Sequence, residues 1–403
     1  MSGVLAIDQG TSSTRAIVFD GRGQALGTAQ REFDQIFPHD GWVEHDPETL
    51  WETTLFAARG ALADAGVEAG SLTGIGITNQ RETTLIWDAE TGQPVYNAIV
   101  WQDRRTAARC ERIRSDGMEG AISKATGLVV DPYFSSTKIA WLLENVPGLR
   151  ARAASGKLRF GTVDSFLIWR LTCGAKHATD ATNASRTQLF DITQQSWDPE
   201  LLRYFDVPAS LLPQVCDCAG DYGVADPRWF GAPVPILGVA GDQQAALIGQ
   251  GCITSGMTKS TYGTGCFMVV NTGDRLIRST HGLLSTIGYR LDGRTTYAIE
   301  GSIFVAGAAV KWLRDSLRVV DSAAATEAAA RRSGGDAGGV YLVPAFTGLG
   351  APHWRSDARG LICGLSLDTG RDDLITATLA SVAYQSADLL AALARDDVAV
   401  TCL

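Results

Sequence analysis

At 403 residues the chain is long enough for two or three domains of roughly 100–200 residues each, and it can bury a core without staples. A hydrophobic share of 45% and a charged share of 20% exclude disorder as the main state. The net charge of -9, from 35 basic and 44 acidic residues without a block of like charge, excludes the electrostatic footprint of a nucleic-acid binder. The 44 glycines exceed the average of about 7% and point to tight turns or close backbone approach. No stretch reaches the roughly 20 apolar residues of a membrane span, and no basic region precedes the first apolar run, so neither membrane insertion nor a signal peptide is expected. The eight cysteines show no paired CxxC spacing, so reduced thiols in the cytoplasm are expected rather than zinc or disulfides.

In chain order, Val4–Ile7 reads as a strand, Asp8–Thr14 as a turn rich in Gly and hydroxyls, and Ala16–Phe19 as a second strand. A helix is expected over Glu48–Ala65, with Leu50, Leu55, Ala58 and Leu62 on one face. Short strands follow at Ile75–Thr78, Thr83–Trp87 and Ile99–Trp101, then helical stretches from Arg104 and over Ser136–Glu144. The apolar Phe166–Leu171 leads into a polar loop, His177–Arg186. Val234–Val239 is a strand running into Gly241-Asp242-Gln243-Gln244 and a helix. Thr258–Tyr262, Gly263-Thr264-Gly265 and Phe267–Val270 repeat the opening pattern of strand, Gly/Thr turn and strand. That echo suggests two related domains, 1–252 and 253–403. Ser322–Gly339 is expected to join a helix to a mobile loop, and Asp372–Asp396 to form a helix opened by two acidic residues. Val398–Leu403 has a strand pattern with no crossover after it, so the second domain is expected to be incomplete.

Four segments can carry chemistry. The turn Gly10-Thr11-Ser12-Ser13 can aim amides and hydroxyls at an anion, with Arg15 adding charge and Asp8 placed to hold Mg²⁺ through water; a polar hairpin turn is the alternative. Gly263-Thr264-Gly265 is a second clamp of this kind or a plain hairpin, and two such turns, one per domain, suit phosphoryl transfer. Asp242 is either a helix N-cap or a general base at the carboxyl end of a strand, with Gln243 and Gln244 beside it for a polar substrate. Arg81-Glu82 is either a solvated turn or a donor fork beside an acceptor, suited to neighbouring hydroxyls. Tyr133 offers a phenol, and Trp101 and Phe267 offer apolar walls or core.

Together these segments resemble the FGGY carbohydrate kinase family, and within it the members that act on glycerol. The resemblance rests on Ile7–Ser13, Trp42–Pro47, Gly76–Thr84, Asn97–Gln102, Asp131–Lys138, Gly161–Asp164, Asn183–Arg186, Ala240–Ala246, Tyr262–Phe267, Pro344–Pro352 and Gly360–Gln385, and covers nearly the whole chain. It implies an α/β fold of two actin-like (ribonuclease-H-like) domains around a cleft, the second incomplete. It implies Arg81, Glu82, Tyr133, Asp242 and Gln243 as polyol contacts, Trp101 and Phe267 against the carbon chain, and Asp242 as general base. Thr11, Ser12, Ser13, Arg15, Thr264 and Gly307 would hold ATP, with Lys311 near the nucleotide where the family often has Gln, and Asp8 near Mg²⁺. The implied reaction is ATP plus glycerol giving sn-glycerol 3-phosphate and ADP, in a cytoplasmic homodimer or homotetramer. A glycerol-binding remnant without catalysis, or a kinase of another polyol or ketose, stays open; Asn79–Thr84 argues against the last. The Phe230–Pro235 loop lacks the Gly-rich basic segment that binds a bisphosphate inhibitor in some relatives.

Overall fold

The computed structural model describes residues 3–403. They form two compact units. The first runs to Ile248 and takes in Thr286–Tyr297; the second holds Gly249–Ser285 and Ala298–Leu403. Thr286–Tyr297 thus interrupts the second unit along the chain.

The first unit is built on a six-stranded sheet. Its strands are β1 (Gly3–Gln9), β2 (Ser13–Phe19), β3 (Ala25–Glu32), β4 (Leu72–Asn79), β5 (Val224–Ala225) and β6 (Val234–Gly241), in the order β5-β6-β4-β1-β2-β3. β1, β2 and β3 form an antiparallel meander, while β4 and β6 run parallel to β1 and to each other. The alternation along β1 sends Leu5 and Ile7 into the core and leaves Asp8 on the other face. Helix α1 (Pro47–Ala65) covers the core face. Asp46 caps it by accepting from the Glu48 amide, Pro47 opens it, and Gly66 closes it in the left-handed conformation. Leu50, Trp51, Ala57, Ala58 and Ala61 pack with Leu5, Ile7, Ile75 and Ile77; each large aliphatic side chain buried there contributes about 1.5–3 kcal/mol.

The polar stretch His177–Arg186, expected as a loop, is instead a buried strand (Ala178–Asp180) followed by a short helix (Ala181–Ala184). Asp180 caps that helix by accepting from the Thr182 and Asn183 amides. Buried polar side chains of this segment find partners in other segments, Asn183 with Asn79 and Arg186 with Glu82.

The second unit carries β7 (Thr258–Tyr262), β8 (Cys266–Gly273), β9 (Leu284–Leu291) and β10 (Arg294–Ile303), in the order β7-β8-β10-β9. The tip of the β9–β10 hairpin belongs to the first unit. There Arg290 donates to Asp217 at 2.5 Å, and Gly293 donates to the other oxygen of that carboxyl at 2.7 Å. In the rest of the second unit, helix α2 (Gly307–Asp315) follows β10, and helix α3 (Arg371–Arg395) packs Leu389, Ala392 and Leu393 among Cys266, Met268 and Ile299. By length and composition alone α3 is apolar enough to cross a membrane, which the sequence reading did not expect; its buried face is part of this unit's core. The Val398–Leu403 strand pattern pairs through one parallel bridge, Cys402 with Met257.

Candidate active site

The register places the site. Gln9 lies opposite Asn79, and Asn79 opposite Gly241, so β1, β4 and β6 end side by side. Ligands bind outside such carboxyl ends in α/β sheets. Here the three exits carry Gly10–Ser13, Gln80–Glu82 and Asp242.

The exits are tied together by side chains. Gln80 donates to Gln9 Oε1 at 3.0 Å and to the Gly10 carbonyl at 2.9 Å, and its own Oε1 accepts from Thr83 at 2.8 Å. Trp101 Nε1 donates to Thr11 Oγ1 at 2.9 Å, and its ring stands edge-on to Tyr133 at 5.7 Å. The Arg81 side chain, 2% exposed, lies 3.4 Å from Asp242 Oδ1 through Nε, donates to Gln244 Oε1 at 3.1 Å, and reaches the Tyr133 hydroxyl at 3.4 Å. Gly241 makes this possible, because a Cβ there would sit 2.7 Å from Arg81 Cδ. Glu82 is buried, with φ at 60°, a left-handed conformation that costs an ordinary residue about 1–3 kcal/mol. Its Oε1 accepts from Arg186 at 2.6 Å and stands 3.8 Å from Arg81.

Asp242 opens a helix over Asp242–Gly249 and is a third exposed. Its Oδ1 accepts from the Gln243 amide at 2.7 Å. The Gly241 amide just before it donates to Thr182 Oγ1 at 2.9 Å, which fixes the carboxyl's root. The structure thus brings Arg81, Glu82, Tyr133, Trp101, Asp242 and Gln243 to one place: a guanidinium fork, two carboxylates, a phenol and an aromatic wall.

On the other face of β1, Asp8 lies opposite Arg15, and Arg15 opposite Gln30. Arg15 donates twice to Gln30 Oε1, and Gln30 donates to Ser13 Oγ at 3.0 Å. Burial and then the charge of Asp242 push the Asp8 carboxyl up to about 6, with Arg15 opposing. Asp8 is itself exposed, which softens the burial effect, while repulsion from Asp242 raises the carboxyl in the same direction as burial. The Gly10 amide donates to the Ser13 carbonyl at 3.0 Å and closes the turn. His45, beside Gln80, is pushed down to about 4 by burial and is neutral at pH 7.

Thr264, Phe267, Gly307 and Lys311 belong to the second unit. The amides of Ala306, Gly307 and Ala308 donate to the carbonyls of Thr264, Gly263 and Thr264, at 2.9, 2.9 and 3.1 Å. The start of α2 is therefore seated on the turn. A Cβ at Gly265 would lie 2.3 Å from the Ile303 carbonyl. The Thr264 and Lys311 side chains are exposed, while Phe267 is buried on β8.

Gln244, expected beside Asp242 for a polar substrate, here accepts from Arg81. Lys138 and Arg186 carry no role in the sequence reading, although both lie inside motifs that carry the family resemblance.

Residues 3–249 match the N-terminal domain of the FGGY family of carbohydrate kinases, and residues 258–403 match its C-terminal domain. The chain belongs to the FGGY family of carbohydrate kinases. Among its relatives is a glycerol kinase of Alcanivorax borkumensis, 62% identical over 98% of this chain and 79% of that one. A glycerol kinase of Marinomonas sp. is 57% identical over 99% of this chain and 81% of its own length. The crystal structure of Plasmodium falciparum glycerol kinase with ADP superposes with a TM-score of 0.85 at 36% identity, covering 98% of this chain and 79% of that one. This FGGY kinase has the two-domain, actin-like α/β fold of its family.

Proposed function

We propose that this FGGY kinase transfers the γ-phosphoryl group of ATP to glycerol, giving sn-glycerol 3-phosphate and ADP. The observation that carries the reading is the cluster of buried Arg81, Glu82 and Tyr133 with the partly exposed Asp242, in a chain 57–62% identical to glycerol kinases. Glycerol is small, neutral and rich in hydroxyls. Fixed donors and acceptors discriminate such a molecule better than apolar walls do, because an analogue lacking a hydroxyl leaves a buried group unpaired. Arg81 donates to, and Glu82 and Tyr133 bind, neighbouring hydroxyls, with the Trp101 ring along the carbon chain. Asp242, held through Oδ1, accepts the proton of the attacking hydroxyl. Thr11, Ser12, Ser13 and Arg15 hold phosphate oxygens on the first unit. Thr264, Gly307 and Lys311 are the proposed nucleotide contacts of the second unit.

The donor set fits a Mg²⁺ that arrives with the nucleotide. Among the described residues no group of three or more metal-ligating side chains stands together, and Mg²⁺ ordinarily takes one or two carboxylates plus phosphates and water. Asp8, repelled by Asp242, is the carboxylate placed for that role. When bound, the ion neutralises charge developing on the transferred phosphoryl group. The eight cysteines are free thiols, which a reducing compartment preserves, and this supports the cytoplasm as the place of the reaction.

The test is ADP release by the 403-residue chain with MgATP and glycerol, with D-xylulose as comparator. Glycerol-dependent release is expected. Release with the ketose alone would reassign the substrate, and release with neither would leave a binding protein.

A further inference from the structure

Two buried cations outside the proposed contact set each reach both Glu82 and Tyr133. Lys138, on the helix Ser135–Asn145, is fully buried. Its Nζ donates to the Tyr133 carbonyl at 2.7 Å and approaches the Glu82 carbonyl at 3.5 Å. Arg186, just past the short helix Ala181–Ala184, is also fully buried. Its Nε donates to Glu82 Oε1 at 2.6 Å, and its guanidinium lies over the rings of Tyr133 at 5.5 Å and Phe134 at 5.4 Å. One cation therefore bridges the two residues at their backbones and the other at their side chains. Ser135 and Thr84 add hydroxyl bonds to the Glu82 carbonyl, both at 3.0 Å.

Glu82 needs such holding. Its left-handed backbone is uncommon for a residue other than glycine, and Tyr133 arrives from a different segment, fifty-one positions along the chain. Arg81 touches both, 3.8 Å from Glu82 Oε1 and 3.4 Å from the Tyr133 hydroxyl, but it also carries the contacts to Asp242 and Gln244, so the spacing of carboxylate and phenol draws on further support. Resting on the polyol reading above, we propose that Lys138 and Arg186 are positioning residues that set the spacing of Glu82 and Tyr133, and through it the affinity for the polyol.

The surroundings of Lys138 agree with this role. Burial pushes its ammonium down to about 7; Asp103, Glu82 and Asp131 oppose that shift and Arg104 adds to it. A lysine that only filled space would be replaced by Met at no such desolvation cost. Its hydrogen bonds go to two carbonyls on two substrate-contacting segments rather than to a carboxylate. Arg186 shows the complementary arrangement, with an ion pair to one contact residue and a ring face on the other.

The experiment compares wild type with Arg186→Met, Arg186→Lys and Lys138→Met in the full chain. Michaelis constants for glycerol and for MgATP, kcat, and glycerol binding by calorimetry without nucleotide are measured well below each unfolding midpoint. Arg186→Met is expected to weaken glycerol about 100-fold, the scale of a misplaced contact. Lys138→Met is expected to weaken it about tenfold, the scale of one lost hydrogen bond. The KM for ATP should stay within about twofold in both, since neither residue supports the phosphate turns. Arg186→Lys, which keeps the charge but not the fork or the ring contact, should fall between wild type and Arg186→Met. If Arg186→Met does not fold, Arg186→Lys and Lys138→Met carry the test. Unchanged glycerol affinity in the folded variants overturns the proposal, as does an equal loss for both substrates. Wild-type chain that neither binds nor phosphorylates glycerol overturns the functional reading as well, which separates the two failures.

Discussion

The polyol cluster of the first unit and the Gly263–Gly265 turn of the second are held by different means. In the cluster the work is done by buried side chains: Arg81 on Asp242, Gln244 and Tyr133, and Arg186 on Glu82. At the turn it is done by backbone, with three successive amides of Ala306, Gly307 and Ala308 on turn carbonyls and the Thr264 side chain left exposed. The difference follows from what each would bind. Choosing one small polyol requires side chains fixed before it arrives, whereas gripping a phosphate requires a backbone shape that any sequence with the right glycines can adopt. Specificity is therefore expected to fail by side-chain changes in the first unit, and nucleotide binding by backbone changes in the second.

The largest expected effect is on chemistry. Asp242→Asn should lower kcat by about 10²–10⁴, the usual range for a general base, with the unfolding midpoint nearly unmoved because Asp242 is a third exposed. An unchanged rate would reduce Asp242 to a helix-opening residue. Next, Arg81→Ala should raise the glycerol KM by about 10–100-fold, as for a lost charged hydrogen-bonding group, and the ATP KM much less. The reverse pattern would put Arg81 on the nucleotide and erase the contrast between the units. A pair of glycine substitutions sharpens it further. Gly241→Ala would push a methyl against Arg81 Cδ, and Gly265→Ala would push one against the Ile303 carbonyl. Each should cost about 1–3 kcal/mol of stability by overpacking, visible in thermal melts, but the first should raise the glycerol KM and the second the ATP KM.

The smallest effect is a pH limb. The Asp8 carboxyl is raised to about 6, so it is charged above that pH and neutral below it. Its contribution to holding Mg²⁺ is then present at pH 7 and fades as the pH falls through about 6. The KM for MgATP at saturating glycerol should rise on that acid side, and Asp8→Asn should flatten the profile while weakening MgATP at neutral pH. A limb unchanged in the variant would assign it to another group.

Much of the fold was legible because local signals agreed with one another. Asp46-Pro47 opens α1 and Gly66 ends it, so the helix expected from Glu48 to Ala65 differs by a single residue from Pro47–Ala65. Arg371–Arg395 likewise matches its acidic start and apolar stripe. His177–Arg186 failed because its polar residues are buried by partners far away in sequence: Asn183 pairs with Asn79 and Arg186 with Glu82, each 104 positions off. Polarity reads as exposure until those partners are known. The hairpin tip Thr286–Tyr297 packs with the first unit, where Arg290 meets Asp217, a contact between distant segments that no short window of sequence announces.

By itself the sequence determined the chemical types available at each strand exit, the turns that its glycines allow, and the family to which its motifs belong. These are properties of short windows, where spacing and side-chain chemistry act directly. Only the tertiary structure decided which of them meet. The parallel register of β1, β4 and β6 brings three exits level, Gly241 lets Arg81 lie across to Asp242, and Lys138 and Arg186 hold Glu82 and Tyr133 at a fixed spacing. Hydrogen bonds and ion pairs between segments a hundred residues apart depend on distances of a few tenths of an ångström, and no local pattern in the chain encodes them.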